Sequence, residues 1–243
     1  MATVAIIQAR MGSSRLPGKV LERFAGRTAL EHCVTRTRAC PAIDEVVVAT
    51  TTDPGDDVVV DACRGHGWRW FRGAEHDVLD RYYQAAREVG ATDVVRVTSD
   101  CPLTDPAVLA ELIAVYRGAD RADYASTSYP RPTFPLGISA EVVRFDVLER
   151  AWHEDRDPSW REHVTPFVYR HPERFRLVGY GCEADYTDHR WTLDTAEDAA
   201  LLRLLFDALG ERPAGWRDVL AIALAHPAWQ AINAAIVQRP APG

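Results

Sequence analysis

Four short apolar runs rich in β-branched residues are each followed by a stretch with helical spacing, and this alternation limits what the chain can become. Val4–Gln8 reads as a buried strand, followed by a Gly/Ser/Pro loop over Ala9–Gly18 and a helix over Ala29–Ala39 capped by Thr28. Glu45–Thr50 is a second strand, with a helix over Asp56–Gly65 after it, and Trp68–Phe71 is a third. Asp77 is placed to cap a helix running to about Glu88, with Gly90 as its stop. Asp93–Thr98 is a fourth strand, and Pro106 opens a helix through Tyr116. Strand–helix alternation of this kind predicts an α/β fold with a doubly wound, mostly parallel sheet.

The second half is less regular. Ala122–Ser139 is rich in Tyr, Pro, Thr and Ser and reads as an extended crossover. Ile138–Val143 and Phe175–Tyr180 are expected as later, antiparallel strands, and His189–Leu193 as another strand. Helices are expected over Asp146–Trp152, Arg161–Arg170, Thr195–Leu209 and Trp216–Ala225, with a loose tail from Pro240. With 243 residues and no repeat, the chain reads as one domain, 1–243.

Composition excludes several classes. No apolar run approaches the ~18 residues that span a bilayer, and the N-terminus lacks a signal-peptide pattern. A net charge of −7 argues against nucleic acid as a partner. Five cysteines without a CxxC pair argue for reduced thiols in a cytoplasmic protein, and against a disulfide frame or zinc site.

Of the 28 basic side chains only Lys19 is a lysine, so a compact ammonium is retained where arginine is otherwise used throughout. It ends the loop after the first strand, which also carries Arg10 and Arg15 among Gly12, Ser13, Ser14 and Gly18. Small residues let backbone N–H groups approach an anion. The loop is not a Walker P-loop: five residues separate Gly12 from Gly18, and Val20 stands where a hydroxyl is required. The dinucleotide pattern G-x-G-x-x-G is also absent.

Asp100 and Asp194 each end an expected strand, at the edge where open α/β sheets bind ligands. Two carboxylates there suit Mg2+, which takes oxygen ligands and retains waters. Either aspartate also fits a local role, Asp100 in a turn and Asp194 as a helix cap; Asp198 reads as a solvated helix residue.

The run R-x-x-x-S-R-L-P-G-K after the first strand resembles the signature loop of the CMP-sugar synthetases, in particular the CMP-KDO synthetase and spore-coat polysaccharide (SpsF-like) cytidylyltransferases. The resemblance extends from Val4 to Leu205. Arg72–Tyr82 is similar to the group's G-x-x-x-D-V-L-x-R-Y segment, Arg161–Pro166 also matches, and Asp194–Asp198 follows its late D-T-x-E-D segment. Phe134–Glu141 departs from the related P-x-G-x-D-x-E pattern, with Ser139 in place of an aspartate.

The resemblance implies a Rossmann-like (GT-A-like) nucleotidyltransferase that transfers CMP from CTP to an acidic sugar, sugar phosphate or phosphonate and releases pyrophosphate. It implies that Arg10, Arg15 and Lys19 act on the phosphates, and that Ala9, Met11, Gly12, Ser13, Ser14, Arg72, Asp77 and Arg81 contact the nucleotide. Glu141, Arg161 and His163 are the candidates for a small anionic acceptor, and Asp100 and Asp194 for Mg2+. A homodimer is expected, with about 122–180 as the acceptor and contact region. The alternatives are another nucleoside triphosphate, or a GT-A-type glycosyltransferase; the latter expects D-x-D, and Ser99-Asp100-Cys101 offers one carboxylate.

Overall fold

A computed structural model describes residues 2–119, 122–210 and 214–238. The first strand, β1 (Thr3–Gln8), is an interior strand, third in order, of a seven-stranded sheet. A small antiparallel hairpin, β2 (Arg23–Phe24) and β3 (Arg27–Thr28), stands apart from that sheet and leads into α1 (Ala29–Arg38). As expected, Thr28 caps this helix, in a reciprocal capping box with Glu31. Then follow β4 (Glu45–Thr51), α2 (Asp57–His66), β5 (Arg69–Gly73), α3 (Val78–Glu88), β6 (Asp93–Thr98) and α4 (Pro106–Gly118).

The sheet order places β5, β4, β1 and β6 side by side and parallel. The chain steps outward from β1 to β4 and β5, then crosses back to β6 on the other side. The topological switch point therefore falls between β1 and β6, where such sheets leave a crevice at the carboxyl ends of the strands. Apolar runs are continuous because both faces are covered. Ala5, Ile7, Val48 and Val97 pack with Leu30, Leu109 and Leu112 on one face. Val4, Ile6, Val47 and Val94 pack with Leu79, Tyr82 and Leu148 on the other.

The second half departs from expectation in four places. The Pro/Tyr-rich crossover contains a strand, β7 (Tyr124–Ser126). Next, as expected, β8 (Glu141–Arg144) runs antiparallel, to both β6 and β7, and α5 (Phe145–Glu154) follows it. The helix expected over Arg161–Arg170 is two helices, α6 (Pro158–His163) and α7 (Pro166–Tyr169). Val164 takes φ 74° between them, and Pro166 has no N–H to continue a ladder. The strand β9 (Leu177–Gly179) is shorter than expected and parallel to its neighbour β7, not antiparallel.

His189–Leu193 is not a strand. It touches an extended segment only through a single Leu136–Arg190 bridge. Its backbone is instead tied to the loop after β6, with Leu193 N–H donating to the Asp100 carbonyl at 2.8 Å. Helices α8 (Ala196–Leu209) and α9 (Trp216–Ala225) close the fold around Trp191, Leu193 and Phe134. The tail from Pro240 lies outside the described residues.

Gly137 holds this late segment in place. It has φ 106°, and a β-carbon there would lie 2.7 Å from the carbonyl carbon and oxygen of Trp191. Gly137→Ala is expected to cost about 2–3 kcal/mol through strain and steric displacement. Thermal unfolding should show a midpoint lower by roughly 5–10 °C for a domain of this size.

Candidate active site

The loop after β1 is built by a few specific contacts. Met11 N–H donates to Asp56 Oδ1 at 2.6 Å, and the Met11 carbonyl accepts from Ser13 and Gly18 at 2.9 and 3.0 Å. Gly18 has φ 74°, the left-handed conformation that glycine takes without penalty, and delivers the chain into a short 3-10 turn beginning at Lys19. The backbone N–H groups of Gly12, Ser14 and Arg15 find no acceptor among the described residues. All three residues line a cleft of about 330 Å³ at the carboxyl edge of β1 and β6.

Lys19 lines this cleft and is mostly enclosed. Its Nζ donates to Asp100 Oδ2 at 2.9 Å and to Asp194 Oδ1 at 2.8 Å. The two carboxylates are 94 positions apart in the chain and meet because Asp100 lies in the turn just after β6 while Asp194 is held by the late segment. Thr192 Oγ1 and Leu193 N–H both donate to the Asp100 carbonyl, at 3.1 and 2.8 Å. Arg15 reaches Asp194 Oδ2 at 3.0 Å, and so does Arg190.

Arg190 and Asp198 were absent from the sequence-based site. Asp198 is fully buried, not solvated, and accepts from Arg190 Nε at 2.8 Å and from the backbone N–H of Asp194 and Thr195 at 3.0 and 3.1 Å. It thus sets both the backbone and the counter-cation of Asp194. The spacing of Arg190, Asp194 and Asp198 at intervals of four was the available signal. Asp56, which anchors the loop, carried none beyond its place at a helix start.

The electrostatics follow from the geometry. Burial alone pulls the Lys19 ammonium down, but Asp100 and Asp194 outweigh it and hold the pKa above its ordinary value. Burial likewise opposes ionisation of Asp100; Lys19 and a Thr98 hydrogen bond reverse that and keep it below the usual carboxylate range. Burial, then the charge of Asp100, pushes the Cys101 thiol up, so it is no nucleophile at neutral pH. At the rim, desolvation and then the charge of Arg96 lower the pKa of His163, leaving a neutral imidazole at pH 7.

The donor set fits a hard divalent cation. Two carboxylate oxygens already converge on one cationic centre, Lys19 Nζ, with no thiolate or imidazole beside it. Among the described residues no group of three metal-ligating side chains exists, so water and phosphate oxygens would complete the coordination.

Of the residues expected in the site, Ala9, Arg10, Gly12, Ser13, Ser14, Arg15, Lys19, Arg81, Asp100, His163 and Asp194 line the cleft. Others do not. The Arg72 guanidinium is consumed by the Thr51 carbonyl at 2.7 Å, Asp57 at 2.6 Å and the Asp53 carbonyl at 2.8 Å. Asp77 caps α3 and pairs with Arg161 at 2.7 Å, so these two staple α6 onto α3. Glu141 sits behind the wall against Arg96, and Met11 contributes backbone and core packing. Gln8, Arg96, Thr98 and Ser99 line the cleft and were missed; they read as ordinary strand residues.

The comparisons with known proteins bear on this geometry. A family profile described as cytidylyltransferase matches residues 4–206. The spore coat polysaccharide biosynthesis protein SpsF of Bacillus subtilis is 34% identical over 217 residues, covering 86% of this chain and 88% of that protein. A cytidylyltransferase structure from Leptospira borgpetersenii superposes with TM-score 0.90 at 30% identity, over 99% of this chain and 100% of that one. A CMP-2-keto-3-deoxy-manno-octonic acid synthetase complexed with CTP shares the fold, with TM-score 0.69 at 20% identity over 86% of this chain and 100% of that one. With the basic loop, the switch-point cleft and a profile match over most of its length, the chain belongs to the cytidylyltransferase family of nucleotidyltransferases.

Proposed function

We propose that this enzyme transfers CMP from CTP to a small anionic acceptor, an acidic sugar, sugar phosphate or phosphonate, with release of pyrophosphate. The observation that carries the reading is the Lys19 ammonium lying between Asp100 and Asp194, at 2.9 and 2.8 Å, beneath a loop of unpartnered N–H groups. That is a mixed-charge site suited to a metal-bound polyphosphate.

An acceptor oxygen attacks the α-phosphorus in line and its bond to the bridging oxygen breaks, so pyrophosphate leaves with that electron pair. The N–H groups of Gly12, Ser14 and Arg15 and the side chains of Arg10 and Arg15 hold the triphosphate. Lys19 places a point charge where negative charge grows on the phosphoryl oxygens. Asp100 and Asp194 would hold Mg2+, which supplies further charge neutralisation there. An acceptor phosphate or phosphonate is already ionised at neutral pH and needs no general base, which suits the neutral His163 at the rim.

The family match and the CTP-bound relative support cytidine as the base. The test is pyrophosphate release with CTP, UTP, GTP and ATP, each with Mg2+, against a panel of acidic sugars, sugar phosphates and phosphonates. CTP should exceed the other nucleotides by about tenfold or more in kcat/KM, as expected where buried polar groups read a base. Equal rates with all four, or sugar transfer from a nucleotide sugar without pyrophosphate, would overturn it.

A further inference from the structure

Resting on that reading, we propose that Arg96 is the residue that binds the acceptor's anionic group, a carboxylate or phospho-oxyanion. Arg96 interrupts the apolar run Val94-Val95-Arg96-Val97 of β6, and it is one of the residues lining the cleft. A cation in the middle of a covered strand costs several kcal/mol unless it is paired and hydrogen-bonded. Its pairing here is incomplete. It contacts Glu141 through Nη1 at 3.2 Å, while Nε is enclosed and finds no acceptor among the described residues. A guanidinium has five N–H donors, and a purely structural pair would spend them.

The position separates Arg96 from the triphosphate loop. In the β1–β6 register Gln8, which leads into the loop, faces Thr98, and Ile6 faces Arg96. Arg96 thus lies one pleat deeper, and β8 flanks it on the side away from β1. Arg10, Arg15 and Lys19 serve the loop and Arg81 is tied to the Ala74 carbonyl at 2.7 Å, so Arg96 is a cation left for a second oxyanion.

The chain also stores strain in this wall. Val164 has φ 74° and ψ −54°, and Thr165 N–H donates to the His163 carbonyl at 2.9 Å. That is a classic γ-turn centred on a β-branched residue, a conformation held only when its surroundings over-determine it. The turn places Thr165 Oγ1 on Glu141 Oε2 at 2.7 Å and leaves His163 lining the cleft. Thr165 thereby fixes Glu141, Glu141 fixes Arg96, and His163 is set beside them as a neutral hydrogen-bonding group. Glu141 is a positioning residue in this arrangement, not an acceptor contact.

The experiment uses the full-length enzyme saturated with CTP and Mg2+, titrated by calorimetry with methylphosphonate and, separately, with acetate. Saturable binding of at least one probe is expected, and the better probe distinguishes a phospho-acceptor from a carboxylate acceptor. Arg96→Gln leaves Glu141 unpaired, so the double variant Arg96→Gln/Glu141→Gln is measured beside it to keep the wall neutral. The double variant should bind the probe about tenfold or more weakly, the loss expected for a charge-assisted contact, with CTP affinity within about twofold of wild type. Unchanged probe binding would overturn the proposal. So would the absence of saturable probe binding by a wild type that binds CTP, or an equal loss of CTP affinity in the variant. A wild type that fails to bind CTP would instead remove the nucleotide reading, and this proposal with it.

Discussion

Lys19→Ala is expected to reduce turnover on the order of 10²-fold or more, the scale of a lost preorganised charge in a phosphoryl-transfer site. Lys19→Arg is expected to do little better. The ammonium is mostly enclosed, with 13% of its side chain exposed, and one nitrogen meets both carboxylates. A planar fork cannot bring a single point charge to that position without displacing one of them. Steady-state pyrophosphate release measures both variants. An arginine variant within about twofold of wild type would show that charge alone suffices.

The same pair gives a pH dependence with a definite sign. Asp100 titrates below its ordinary value in the folded state, so its contribution is present above about pH 4 and is lost as pH falls through the lowered pKa. Lys19 titrates above its ordinary value, so its contribution is present below about pH 10 and is lost as pH rises through the raised pKa. Removing Lys19 takes away the main counter-charge of Asp100 and leaves burial to raise its pKa, so the fall of the urea-unfolding midpoint on acidification should become shallower. An unchanged fall in Lys19→Ala would mean that the bridge does not hold Asp100 ionised.

Asp194→Asn is the second large effect, with turnover lower on the order of 10³-fold. This carboxylate accepts from three cations, Lys19, Arg15 and Arg190. Without its charge, the proposed divalent-cation site loses one of two anionic oxygens, Arg15 loses its carboxylate partner, and Lys19 keeps only Asp100. Turnover should fall far more than CTP affinity, because the remaining cations still attract the triphosphate. Raising Mg2+ or Mn2+ concentration should recover part of the rate. A variant with normal turnover at low metal concentration would show that Asp194 merely orders the loop. The fold should survive, since Asp198 retains its bonds to Arg190 and to the backbone of Asp194 and Thr195.

The first half of the chain was legible because its determinants are local. β1, β4 and β6 are short apolar runs buried on both faces, and Thr28, Asp77 and Pro106 mark helix starts by their own chemistry. The later elements obey longer-range rules. His189–Leu193 has strand-like residues, yet the N–H groups of His189, Trp191 and Leu193 go to the Tyr186, Leu136 and Asp100 carbonyls in turn, not to one ladder. Arg161 and Asp77 have the chemistry of binding residues and are spent on each other. No local pattern tells a guanidinium aimed at a ligand from one aimed at a neighbouring helix.

By itself the amino-acid order determined the parallel half of the sheet, the phosphate-type loop and the choice of lysine at its end, since each depends on residues within one turn or one strand. Only the folded chain decided that Asp100 and Asp194 meet at one ammonium, that Asp198 and Arg190 stand behind them, and that Arg72 and Asp77 face elsewhere. The reason is physical. Periodicity and capping act over a few residues, whereas a charge cluster forms wherever chain crossings bring strand ends together, and those crossings are set by burial of the whole core.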